Sequence, residues 1–200
     1  MGFHASYTRL RRVAEEFWGA SVKRIVKDKH GETSRRMTDA QLLAQVISDA
    51  YAGNANHRGY SRHGDPLTQI LKGVTATQAA AKPKGATHSI WELVLHIANW
   101  EEIALRRLHG ERVEWVQDSQ LDWPRVNGTT SSDWKKALGR LARANRALSA
   151  AVARSTRAQL NKKVLNRPYN NEVMLHGTIH HSVYHAGQIA LLKQLEANPR

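Results

Sequence analysis

The segment HGTIHHSVYHAGQIALL, His176 to Leu192, holds four of the chain's eleven histidines within ten residues. The residues between them are apolar, small or uncharged. His181 and His185 lie four apart, which on a helix is about 40° of rotation and roughly 6 Å of rise, so both rings can reach one metal ion. His176 and His180 have the same spacing on another face, and spacing alone does not choose between the pairs. A site needs a third ligand, for which His96 in ELVLHIANW is the best candidate. It sits among Leu93, Val94, Ile97 and Ala98, where a lone imidazole needs a partner. The competing reading is that these are core histidines satisfied by backbone or water. No glutamate lies inside HSVYH, so the general base of a metalloprotease is absent.

Helices must position these rings, and the chain punctuates itself accordingly. Thr38 and Gln41 form a capping box that opens a helix in TDAQLLAQVISDAYAG, ending at Gly53. In DPLTQILKGV, Asp65 reads as an N-cap and Pro66 as a first helical residue. Ser89 and Glu92 form a second capping box, opening a helix that stops at Gly110. In SSDWKKALGRLARANRALSAAVAR, Trp134, Leu138, Leu141, Leu148 and Val152 recur at helical spacing. A last helix runs from about Asn171 to about Leu195. No alternating β pattern and no internal repeat interrupts this, and the fold class is all-α. The link ERVEWVQDSQLDWPRVNGTT is long enough to cross the roughly 33 Å of a bundle helix, leaving the helices it joins parallel. A four-helix bundle with a long crossover between helices 2 and 3 follows.

Composition narrows the partners. The net charge of +13 invites a nucleic-acid reading, and much of it lies on DWKKALGRLARANRALSAAVARSTRAQLNKK, where Asp133 is the only acid. A solvated helix face explains that stretch without nucleic acid, and no recognition helix or stacking sheet accompanies it. With no cysteine, disulfides and thiolate ligands are excluded, which fits a reducing, cytoplasmic setting. No apolar run is long enough for a membrane span. Residues 1–36 differ from the rest, with nine basic residues against four acidic ones and only a weak amphipathic segment. They read as a basic extension, with Met37 a plausible alternative start of a domain over residues 37–200. MGFHAS formally matches a myristoylation pattern at Gly2 and Ser6, too short to carry weight.

HSIWELVLHIANWE and VMLHGTIHHSVYHAGQIALLK together resemble the two signature segments of the DinB/YfiT-like superfamily of bacterial four-helix-bundle proteins. The resemblance runs from about Met37 to about Leu195. It implies one metal-ligating histidine on the second bundle helix and an H-x-x-x-H pair on the fourth. In this chain those are His96, His181 and His185, which sets aside the His176/His180 pair. It further implies a divalent ion (zinc, nickel or similar), and a low-molecular-weight thiol as co-substrate of an S-transferase or isomerase. Three imidazoles would leave an open coordination position, as catalytic sites do. Tyr184, Gln188 and Asn99 flank the ligands as candidate supporting or substrate-contacting groups. His63 and the crossover tryptophans Trp115 and Trp123 could cover the site, whereas Trp91, Trp100 and Trp134 read as core. The expected partners are a small-molecule substrate, neither nucleic acid nor a membrane, and a homodimer as an open option. The alternative function is non-enzymatic: a metal-holding or basic nucleic-acid-binding stress protein.

Overall fold

The computed structural model describes residues 37–53, 65–114 and 122–197. The expectations placed on residues 1–36, on His63 and on Trp115 lie outside them. Among the described residues the chain forms seven helices: α1 (Asp39–Ala52), α2 (Leu67–Leu71), α3 (Ala76–Ala80), α4 (Ile90–Leu108), α5 (Ser131–Ala153), α6 (Arg157–Asn161) and α7 (Asn171–Ala197). One isolated bridge, Lys163 to Asn170, precedes α7.

Helix starts follow local chemistry. At α1, the Thr38 hydroxyl accepts from the Gln41 amide at 3.2 Å and the Gln41 side chain accepts from the Thr38 amide at 2.9 Å. Ser89 and Glu92 repeat the exchange at α4, at 3.2 and 2.8 Å. Each pair satisfies two backbone donors that the first helical turn cannot. Because Ser89 is buried, Ser89→Ala should cost about 1 kcal/mol, or about 3 °C in thermal unfolding. An unchanged midpoint would show that the cap is dispensable. At α2 the structure differs from the sequence expectation. Pro66, not Asp65, occupies the N-cap, its backbone is extended and it makes no side-chain cap bond. The helix is only five residues long, because Gly73 turns the chain with φ of 78° and a new capping box, Thr75 with Gln78, opens α3.

Contacts along the long helices fix their directions. Trp91 of α4 packs on Trp134 of α5 with ring centroids 5.1 Å apart, and further along Glu102 pairs with Arg140 at 2.7 Å. The two helices therefore run parallel, and the link between them joins opposite ends of the bundle. α7 runs antiparallel to α4, since its start packs near Ala104 while His185 faces His96. The apolar interior falls into two main clusters. One gathers Trp91, Val94, Ile97 and Leu141 with Ile189; the other gathers Leu43, Ile47, Leu148, Val152 and Leu175. Trp91 and Trp134 belong to the first, as read from the sequence, and the Trp134 indole donates to the Val74 carbonyl at 2.9 Å.

A polar layer links all four long helices. The Asn145 amide of α5 donates to the Ile47 carbonyl of α1 at 3.3 Å and to Glu101 Oε1 of α4 at 3.2 Å. The Ser182 hydroxyl of α7 donates to the same Glu101 oxygen at 3.3 Å. Glu101 is 2% exposed, and its other oxygen has no hydrogen-bond partner. Burial pushes its carboxyl up to about 7, although the Asn145 and Ser182 bonds pull the other way.

Candidate metal centre

Helical register decides which imidazoles turn inward. On α4, His96 shares the buried face of Leu93 and Ile97 and is itself 4% exposed. On α7, His185 is buried and His181 half-buried, whereas His176 and His180 face solvent. The antiparallel packing of α4 on α7 then brings three rings together. His181 Nε2 lies 2.9 Å from His96 Nε2 and 3.1 Å from His185 Nε2. A ligand nitrogen from each of the three falls within 4.8 Å of the others.

Hydrogen bonds behind the rings set the tautomers. The Asp122 carbonyl, which can only accept, lies 2.8 Å from His96 Nδ1, so that nitrogen carries the proton. His185 Nδ1 donates likewise to Gln188 Oε1 at 2.6 Å, and the Gln188 amide donates to the Tyr184 hydroxyl at 3.1 Å. The Nε2 lone pairs of His96 and His185 therefore both point at His181. Burial lowers the pKa of each of the three imidazoles, most at His181, which is pushed down to about 3 with its two neighbours adding to the effect. A neutral cluster of convergent lone pairs is the donor set that suits a divalent cation. His181 Nδ1 is buried without a partner. A positive ion on the opposite nitrogen would favour this ring's Nδ1–H form, with Nε2 as ligand.

The crossover closes over this cluster. Trp123 is sandwiched between His88 and His96, with centroids 3.5 and 3.8 Å away and planes within 8° of parallel. Asp122 Oδ1 accepts from the Trp100 indole at 2.7 Å, and the Trp100 ring lies 5.7 Å from His181. Arg107 sits over the Trp100 ring, 5.8 Å from its centroid. Trp100 thus flanks the site while also packing, half-buried, against the small apolar cluster of Ile103 and Val113. Its indole N–H requires an acceptor, and Asp122 supplies one only at the cluster.

Gln188 stands directly behind His185, and Tyr184 behind Gln188. Asn99 instead faces Arg140, at 3.4 Å from its guanidinium. The basic character of α5 is partly neutralised: Arg140 is bidentate to Glu102, and Lys136 pairs with Asp133 at 3.0 Å. Sequence reasoning missed Asp122 and His88. The adjacent Asp-Trp on a long link was the available signal, but only the folded crossover shows what it anchors.

A family model described as the DinB superfamily matches residues 60–189. No curated protein and no solved structure matches the chain. No described helix is long and apolar enough to cross a membrane.

Proposed function

Because the chain belongs to the DinB superfamily, we propose that it is a divalent-metal-dependent enzyme, an S-transferase or isomerase acting with a low-molecular-weight thiol in the cytoplasm. The observation that supports this reading is the convergence of the His96, His181 and His185 Nε2 atoms beneath an aromatic cover. His96, His181 and His185 would hold the ion, and zinc or nickel suits three imidazoles. The chemistry it supplies there is Lewis acidity, which lowers the pKa of a thiol or water that it binds. The chain's own residues do the positioning. The Asp122 carbonyl and Gln188 hold two Nδ1 protons in place, so their ring planes and ligand tautomers are set before any ligand arrives. Trp123, stacked on His96, and Trp100, beside His181, exclude water from one side of the cluster.

The test has two parts. Protein purified without a nickel column should carry about one divalent ion per chain by elemental analysis. Incubated with a small thiol and a chromogenic electrophile, it should consume thiol at a rate that His96→Ala abolishes. Bound metal without any His96-dependent thiol chemistry would leave a metal-holding protein, and the enzymatic reading would fall.

Trp100→Phe probes the support behind the ligands. It removes the indole donor to Asp122 while keeping most of the apolar bulk. Metal affinity should fall about 10-fold, the lower end of what loss of a partner behind a ligand costs. Unaltered affinity by competition with a chelating dye would show that Asp122 holds His96 without help from Trp100.

A further inference from the structure

In a chain with a net charge of +13, the outer face of α7 stands apart. No exposed position from Val173 to Leu195 carries Lys, Arg, Asp or Glu. Val173, Tyr184 and Leu191 are 46%, 64% and 58% exposed on that face. The inner face of the same helix buries Leu175, Ile179, Ile189 and Leu192. A helix that is apolar on both sides is ordinarily covered on both sides, and among the described residues this one is covered on one.

Two helix-interior glycines add a second, independent observation. Gly177 and Gly187 have no positive φ, and a Cβ added to either would meet nothing within 4 Å. Nothing among the described residues requires glycine there, yet each costs about 0.5–1 kcal/mol of helix stability relative to alanine. Close approach of another backbone is the remaining physical reason to keep them.

The arrangement of the face identifies what approaches. Val173, Gly177, His180, Tyr184, Gly187 and Leu191 follow one another at intervals of 4, 3, 4, 3 and 4 residues, a series that reads the same in both directions about Ser182. An antiparallel copy of α7 laid on this stripe sets Val173 opposite Leu191, Gly177 opposite Gly187 and His180 opposite Tyr184. Apolar meets apolar, glycine meets glycine, and an imidazole meets a phenol. We propose that α7 is the interface of a two-fold homodimer, pairing antiparallel with α7 of a second copy across an axis that passes between His180 and Tyr184 on the outer face. Isologous contact demands this self-complementarity, and an uncharged face is where two strongly basic chains repel least. The stripe is about 27 Å long and a helix is about 10 Å wide, giving about 300 Å² per chain. That is well short of the roughly 800 Å² per partner of a standard interface, so the dimer is reversible and concentration-dependent. The proposal does not depend on a metal. It does touch the candidate site, because Tyr184 on the stripe is hydrogen-bonded to the Gln188 that holds His185.

The absence of native cysteine makes the register directly testable in the full chain. Gly177→Cys and Gly187→Cys variants should form disulfide-linked dimers when mixed and oxidised, and neither should do so alone. The antiparallel register places the two positions opposite one another, whereas like positions are about 15 Å apart, beyond disulfide reach. In sedimentation, the wild-type chain should shift from monomer to dimer as concentration rises, and Leu191→Lys should remain monomeric with unchanged helicity. A wild type that is monomeric at all concentrations overturns the proposal. So does a dimer that survives Leu191→Lys, or linkage between like positions in place of the mixed pair.

Discussion

Alanine at His181 should abolish divalent-ion binding at the proposed site. Of the three rings, His181 is central, with its Nε2 within 3.1 Å of both others, so its loss leaves two ligands that no longer share a neighbour. His96→Ala and His185→Ala should each weaken binding nearly as far, by more than the 10- to 100-fold that loss of a supporting hydrogen bond costs. His176→Ala and His180→Ala should retain the metal, because both side chains face solvent on α7. Elemental analysis of the five variants separates the registers. Full occupancy in a His181→Ala/His185→Ala double variant would refute the site, and accompanying loss in His176→Ala would move it to the other face. The fold should outlast metal removal, since two apolar clusters hold the bundle independently of the rings.

The second large effect belongs to Glu101. Its carboxyl is raised to about 7 in the folded chain from an ordinary value of 4.5, so the folded state holds its proton more tightly than the unfolded state does. The associated stability is fully present below about pH 4.5 and is lost as pH rises through 7, a total on the order of 3 kcal/mol. Glu101→Gln keeps an acceptor for Asn145 and Ser182 but cannot ionise. Its melting temperature should therefore gain on that of the wild type between pH 5 and pH 8, by about 10 °C at the upper end. The low pKa of His181 gives the metal-free wild type an opposite trend over much of this range, but that contribution is common to both proteins and cancels in the difference. A gap that stays constant from pH 5 to 8 would mean that Glu101 ionises without cost.

What was legible in the sequence was local chemistry and helical phase. The boxes at Thr38 and Ser89 announce their helices because each is followed by a long apolar period. The same signature at Thr75/Gln78 and Thr156/Gln159 opens α3 and α6, which went unread because five residues are too few to establish a period. The three histidines that the fold brings together were legible as candidate ligands through family resemblance, and phase explains why they converge: His96 lies between Leu93 and Ile97, and His185 lies four before Ile189. Glu101 was not, because Glu101–Glu102 reads as an ordinary surface pair. Only the four-residue step from Ile97 marks the first of the two as buried, and only packing supplies Asn145 and Ser182 as its partners. Asp122 was hidden for a different reason, and Trp123 was legible only as a residue that could cover the site. A loop has no period, and its anchoring depends entirely on where the crossover is laid across the bundle.

The layer formed by Ile47, Glu101, Asn145 and Ser182 also divides the molecule dynamically. It separates one apolar cluster from the other, so either end of the bundle can fray without exposing the acid at its middle. Opening the layer itself means breaking bonds shared by all four long helices at once. Amide hydrogen exchange should therefore find its slowest protons clustered around residues 97–105, 141–149 and 178–186, with protection decaying toward both ends. Local openings would be confined to one half at a time, while exchange at the centre would report only the global unfolding reaction.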